Sequence, residues 1–222
     1  MPGVILHEAS GAERVPVSPY ALSLLKRGFD FALAGVGLLL AAPLWVLIPL
    51  AILLEGGRPV FYTQARVGRG GRIFRLYKFR SMVRDAETRS GPVLASADDP
   101  RVTRVGKLLR ATALDELPQL VNIFLGHMSF VGPRPERPEL VAAITARCPQ
   151  YALRHRVRPG LTGLAQILGH YESPPEEKLV YDLAYIREAS FKGDLRVILQ
   201  SFAITFAGKW QERSGHVRRK AS

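Results

Sequence analysis

The chain has 222 residues, with 31 Lys and Arg against 19 Asp and Glu and a formal net charge of +12. That length holds one compact catalytic unit plus an anchor and is short for two domains with separate cores. The excess of basic charge points to an anionic partner (a membrane surface, a nucleic acid or a phosphate-rich substrate) and makes no choice among them. Cys148 is the only cysteine, so no intramolecular disulfide forms and the fold must stand in a reducing compartment.

Residues 1–20 hold three prolines and scattered charge and lack the pattern of a secretory signal, so they are expected to be a flexible N-terminal arm. Residues 21–58 follow as the expected membrane anchor. From Phe29 to Leu54 nearly every residue is apolar and Asp30 carries the only charge. A spanning helix needs about 20 such residues. Pro43 near the middle and Pro49 beyond it each remove a backbone donor, so a kink is expected at Pro43. Folding there leaves arms of about 14 residues or fewer, roughly 20 Å each, against a hydrocarbon core of about 30 Å. Lys26 and Arg27 precede the segment, and Arg58, Arg66, Arg69 and Arg72 follow it. Basic flanks on both sides favour a re-entrant hairpin with both ends cytosolic, beside the ordinary alternative of one kinked span.

Residues 59–210 are the expected cytosolic catalytic domain. Residues 60–82 place β-branched and aromatic residues on either side of Gly68-Arg69-Gly70-Gly71, which predicts a small β-hairpin. Alternation along its second strand puts Lys78 and Arg80 on one face, either as a phosphate-binding pair or as an exposed basic edge.

Asp115 and Glu116 precede Pro118, which fits a helix only in its first turn, so Asp115 is expected as the N-cap of a following helix. A carboxylate there meets unpaired backbone donors and the positive end of the helix dipole, which lowers its pKa and suits a nucleophile facing a phosphoryl group. Glu116, pointing elsewhere, suits a magnesium ion with few protein ligands. The plain alternative is a solvated cap. Arg101, Arg104, Lys107 and Arg110 precede this pair, and Gly132-Pro133-Arg134-Pro135 follows it, with Arg134 held between prolines as a rigid anion clamp or a stiff turn. Further on, residues 178–191 and 195–206 read as amphipathic helices separated by a break at Gly193-Asp194. Leu195, Ile198, Leu199, Phe202 and Phe206 form an apolar stripe, for core packing or for the membrane interface. A basic tail, residues 211–222, follows Trp210 and suits anionic phospholipid.

Several of these motifs, in this order, resemble the small monotopic phosphoglycosyl transferases, the bacterial sugar transferase family that starts glycan assembly on undecaprenyl phosphate. The resemblance runs over roughly residues 26–210. It rests on Lys26-Arg27, the proline-broken segment, Tyr77-Lys78-Phe79-Arg80-Ser81-Met82, Asp115-Glu116-Leu117-Pro118-Gln119, Gly132-Pro133-Arg134-Pro135 and Arg158-Pro159-Gly160-Leu161-Thr162-Gly163. It implies that Pro43 breaks a re-entrant helix, that Asp115 forms a phosphosugar intermediate, that Glu116 supports Mg2+, and that Arg110 and Arg134 contact phosphates. A UDP-sugar donor, a polyprenyl phosphate acceptor and the cytosolic face of the bacterial inner membrane are implied with them. Two positions depart from the family pattern: Ala42 stands where many relatives place serine, and His127 where aspartate is expected.

The combined expectation is an α+β fold, mainly helical, with a re-entrant membrane helix, a small β-hairpin and amphipathic interfacial helices. Its site would comprise catalytic Asp115 and Glu116, with Lys78, Arg80, Arg110, Pro133 and Arg134 binding phosphate. The rivals are a membrane-tethered metal-dependent phosphohydrolase and a basic membrane-bound nucleic-acid-binding protein. The second lacks any helix-turn-helix, zinc-ligand or RNA-binding signature, so no specific nucleic acid is expected as a partner.

Overall fold

The computed structural model describes residues 15–86, 99–169 and 173–206. Trp210, the basic tail and residues 1–14 of the expected arm lie outside them. Residues 15–20 are docked rather than loose. The Arg156 guanidinium donates to the Val15 carbonyl, and the Ser18 hydroxyl donates to the Ala189 carbonyl at 2.6 Å.

Helix α1 (Pro19–Leu22) leads into α2 (Leu24–Leu40), whose first turn is capped by Ser23 accepting from the Lys26 amide at 3.1 Å. Helix α3 (Leu44–Gly56) follows at an angle of 61°. Pro43 stands at the head of α3, where its missing N–H would have had no intrahelical partner anyway. Backbone bonds from Ala42 to Leu39 and from Leu44 to Ala41 close the corner, so the bend forms without a serine hydroxyl at position 42. Helix α2 has 17 residues, longer than the expected arm because it starts before the apolar run, and α3 has 13. No single described helix is long and apolar enough to cross a membrane; the bent pair passes that test only together. Leu39, Leu40, Val46, Leu47 and Leu54 on this pair are exposed, a larger apolar face than a water-facing surface normally carries.

Two antiparallel strands, β1 (Phe61–Val67) and β2 (Ile73–Phe79), pair from Phe61 opposite Phe79 to Val67 opposite Ile73, as the glycine-rich turn predicts. Gly70 and Gly71 take φ of 68° and 74° there, a left-handed conformation that costs glycine nothing. Helix α4 (Arg104–Ala111) is tied to the end of α3, because both Glu55 carboxylate oxygens accept from its first amides, Arg104 at 2.6 Å and Val105 at 3.0 Å. Helix α5 (Gln119–Phe124) packs on α2, where Gly37 leaves room for the Leu120 side chain. Arg27 donates to the Ile123 and Phe124 carbonyls at 2.7 and 2.6 Å, satisfying the open end of α5. Asn122 then acts as a substitute strand, accepting from the Tyr77 amide at 3.0 Å and donating to the Arg75 carbonyl at 2.7 Å.

The sequence reading contains no counterpart to β3 (Ser129–Val131) and β4 (Gly160–Thr162), a short parallel pair on either side of α6 (Pro138–Arg147). The approach is so close that a Cβ on Gly160 would stand 2.2 Å from the Gly132 amide nitrogen. Helices α7 (Leu164–Leu168), α8 (Pro175–Glu188) and α9 (Phe191–Phe206) complete the chain. Gly193 and Asp194 lie inside α9 rather than in a break, because the Asp194 amide donates to Ser190 and its side chain is fully buried. The predicted stripe on α9 divides: Ile198 joins the core with Ile123, Met128 and Ile186, while Leu195, Leu199 and Phe202 remain exposed.

Candidate active site

Helix α4 ends at Thr112, and Ala113 takes a left-handed φ of 55°, which costs a non-glycine residue on the order of 1 kcal/mol. That reversal starts a single 3-10 turn, Leu114–Glu116. Asp115 is therefore inside this turn and Pro118 caps α5, which corrects the expectation of Asp115 as the helix N-cap. Its side chain is directed at β2 and is buried.

Lys78 reaches across from β2. Its Nζ lies 2.6 Å from Glu116 Oε1 and 3.7 Å from Asp115 Oδ2. Arg134 Nη2 approaches the same Glu116 oxygen at 3.4 Å. Arg110, in the last turn of α4, adds positive charge that acts on Asp115. The structure thus brings together Lys78, Asp115, Glu116 and Arg134, with Arg110 within electrostatic range. Pro133 is buried beneath Arg134 in the loop that leaves β3, and its carbonyl accepts from the Gly160 amide at 2.9 Å. The two proline-glycine motifs are in this way one mount for a single guanidinium.

The two carboxyls of the dyad are pushed in opposite directions. Burial raises the Asp115 pKa above the ordinary carboxylate value, with Lys78 opposing and the neighbouring Glu116 charge adding to the rise. This reverses the lowered pKa expected for a helix cap. Burial also acts on Glu116, but there the Lys78 ammonium and the Arg134 guanidinium outweigh it and hold the carboxyl well below its usual range. Glu116 is thus the standing anion, and Asp115 the more basic carboxylate with a less committed oxygen.

Arg80 does not join this cluster. Strand β2 ends at Phe79, so the alternation that placed Arg80 beside Lys78 stops one residue short. Its side chain folds under α3 instead, where Nη2 donates to the Gly57 carbonyl at 2.8 Å. Arg101, also counted among the phosphate-compatible cations, is chelated by Asp99 with contacts of 2.6 to 3.1 Å. Pro43 lies in the anchor corner. His127 packs its ring against Phe74, with centroids 5.9 Å apart.

Among the described residues no cluster of three or more His, Cys, Asp or Glu surrounds a metal position. Magnesium does not require one, since it commonly takes one or two carboxylates and completes its shell with water and substrate phosphate oxygens. A single carboxylate such as Glu116 meets that requirement.

Sequence reasoning missed the supports of the site. Arg154, buried, donates to the Arg134 carbonyl at 2.9 Å and to Asp182 at 3.0 Å, which fixes the loop backbone. Lys26, taken as a basic flank of the membrane segment, is also buried, between Asp30 at 3.3 Å and Asp194 at 2.5 Å. Asp30 in turn accepts from the Ser129 hydroxyl at 3.0 Å and the Phe130 amide at 3.1 Å, joining the anchor to β3 and the Arg134 loop. The available signal was Asp30 itself, since a lone charge inside an apolar run demands a partner.

Comparison with known proteins places this geometry in a family. The profile described as Bacterial sugar transferase matches residues 21–208. The chain is 38% identical over 206 residues to a UDP-N-acetylgalactosamine-undecaprenyl-phosphate N-acetylgalactosaminephosphotransferase of Aeromonas hydrophila, covering 91% of this chain and 48% of the relative. It is 39% identical over 213 residues to a UDP-glucose:undecaprenyl-phosphate glucose-1-phosphate transferase of Escherichia coli K12, covering 92% and 46%. A protein of the latter description from Caulobacter vibrioides is 41% identical over 193 residues, covering 84% of this chain and 71% of the relative. The chain spans about half the length of the first two.

Proposed function

The chain belongs to the bacterial sugar transferase family, and from that premise we propose that it moves a sugar-1-phosphate from a UDP-sugar to a polyprenyl phosphate through a covalent intermediate on Asp115. The observation that carries this reading is the pairing of a buried, basic Asp115 with Lys78, Arg110 and Arg134, a carboxylate set among cations that attract a diphosphate.

An Asp115 carboxylate oxygen attacks the sugar-linked phosphorus of the donor. The bond to the bridging oxygen breaks, UMP leaves with that oxygen, and an aspartyl phosphosugar remains. A phosphate oxygen of the polyprenyl phosphate then attacks the same phosphorus, forming the polyprenyl diphosphate sugar and returning the carboxylate. Burial favours the first step, because a desolvated carboxylate is a stronger nucleophile than a hydrated one. Lys78 and Arg134 keep Glu116 ionised and offset charge on the phosphates, and Arg110 adds to that field. Glu116 is the residue that would hold Mg2+, which when bound would offset diphosphate charge as the bond breaks.

The bent α2–α3 pair is proposed to enter the cytosolic leaflet of the bacterial inner membrane and return, with its exposed leucines in lipid and the net positive charge drawing the chain to anionic phospholipid. The lipid acceptor is then met at the bilayer surface, and the product begins a glycan on its carrier.

The test is UMP release by the full chain in detergent, given magnesium, undecaprenyl phosphate and a panel of UDP-sugars. Release from one donor that rises with lipid supports the transfer. Lipid-independent hydrolysis of the donor would instead favour a phosphohydrolase.

A further inference from the structure

At the foot of the anchor, where α3 ends, lies a cavity of about 410 Å³ whose lining includes Glu55, Arg80, Val83, Arg84, Thr103 and Arg104. None of the Asp115 cluster lines it. Arg80 is 8% exposed, and among the described residues its Nε and Nη1 find no hydrogen-bond acceptor. A buried guanidinium left with unmatched donors is costly unless an anion completes it. Desolvation and the neighbouring Arg84 act against its charge and outweigh the Glu55 carboxylate, which acts for it.

Glu55 supports that charge through space but makes no hydrogen bond to Arg80 Nε or Nη1. Both of its carboxylate oxygens are taken by the first amides of α4. Arg84, whose guanidinium lies close to Gly57, and Arg104 are exposed at the cavity and can turn toward a guest. The surroundings are apolar on the membrane side: Leu54 on α3 is 80% exposed and Val83 is 49% exposed. An anion bound here would sit below an acyl or prenyl chain lying along α3.

We infer that this cavity is a binding site for the phosphate group of a membrane lipid, distinct from the Asp115 cluster. The inference rests on the reading of α2–α3 as membrane-inserted. Arg80 supplies the buried floor of the site, and Arg84 and Arg104 close over the phosphate. Such a site sets the depth of the anchor in the leaflet and holds a phosphate lipid beside the catalytic face.

The experiment measures equilibrium binding of fluorescent polyprenyl phosphate, phosphatidylglycerol and the uncharged polyprenol to the full chain in detergent. It uses the wild type, Arg84→Ala/Arg104→Ala and, as a charge-matched control at exposed positions away from both sites, Arg187→Ala/Lys192→Ala, with inorganic phosphate as a competitor. Both arginines are exposed, so the double variant keeps its fold, checked by its melting curve. The expected result is binding of a phosphate lipid over polyprenol, weakened about tenfold or more in the cavity-arginine variant and unchanged in the distant charge-matched one. Preference between polyprenyl phosphate and phosphatidylglycerol identifies the source of the phosphate, and competition by inorganic phosphate identifies the phosphate itself as the recognised group. Equal binding of polyprenol, equal binding in the cavity-arginine variant, or an equal loss in Arg187→Ala/Lys192→Ala would overturn the inference. Absence of UMP release in the wild type would defeat the proposed reaction and leave this binding result standing.

Discussion

Two lysines in this chain each stand between two carboxylates, and the surroundings of the two groups differ. Lys26 meets Asp30 and Asp194 with its side chain 3% exposed, while Lys78 meets Asp115 and Glu116 with its side chain 21% exposed. Around Lys26 the carboxylates are held by further donors: the Tyr20 hydroxyl donates to Asp194 at 3.0 Å and the Tyr185 hydroxyl at 3.1 Å, and Ser129 and Phe130 donate to Asp30 Oδ1, leaving Asp30 Oδ2 as the one carboxylate oxygen of the pair without a partner among the described residues. Around Lys78 the shorter contact goes to Glu116, and Asp115 is held at 3.7 Å, beyond hydrogen-bond reach. A closed group of this kind joins elements, here α2, β3 and α9. An open one leaves a carboxylate free to react.

The comparison breaks most visibly at Asp194. Asp194→Ala leaves Lys26 buried with one partner fewer and should cost about 3–5 kcal/mol of stability, read as a large fall in the melting temperature of the detergent-solubilised chain. A melting temperature within a degree or two of wild type would show that the buried group does not join the anchor to the body.

A second effect on stability comes from His155, which is buried next to Arg154 with its pKa lowered to about 4, chiefly by desolvation and then by that arginine. A group depressed on folding contributes its stability above its unfolded pKa and loses it as pH falls. The window is therefore from about 6.5 down to about 4, with a loss of about 3 kcal/mol across it. Denaturant midpoints along that range should decline in the wild type and flatten in His155→Gln.

At the open group the effects fall on turnover instead. Lys78→Met removes the cation that most strongly opposes the rise in the Asp115 pKa. Turnover should fall about a hundredfold, and the acidic limb of the rate profile should move to higher pH because the proposed nucleophile must be ionised. An acidic limb unmoved in this variant would separate Lys78 from Asp115. The smallest effect is expected for Arg134→Lys, which keeps the charge and loses the planar fork, at about fivefold to tenfold in kcat/KM.

How far the sequence carried depended on the range of the forces involved. The break at Pro43 was legible because a missing backbone donor acts locally, and the hairpin because glycine permits the left-handed turn that joins its strands. The role of Lys26 was not, since Asp194, its shorter partner, lies at the far end of the chain and nothing in a basic flank announces burial. The β3–β4 pair escaped notice for a similar reason: three residues a side carry no periodicity, and their pairing is fixed by two glycines brought into contact only in the fold. At the candidate site the residue types were readable and the geometry was not. Lys78, Asp115, Glu116 and Arg134 converge, but a left-handed Ala113 turns the dyad inward, which reverses the pKa direction expected of a helix cap. Arg80 was placed with Lys78 because strand alternation was extended one residue beyond the strand's end.

The central claim is that Asp115 carries the sugar phosphate, and it is tested most directly by mixing the full chain with the UDP-sugar that supports UMP release and magnesium in the absence of lipid acceptor. The account predicts a burst of UMP no larger than the amount of enzyme and a peptide containing Asp115 that gains the mass of a sugar phosphate, both absent in Asp115→Asn and discharged by polyprenyl phosphate. UMP formed only when acceptor is present, with no mass gained on any peptide, would contradict it and assign the attack to the lipid phosphate itself.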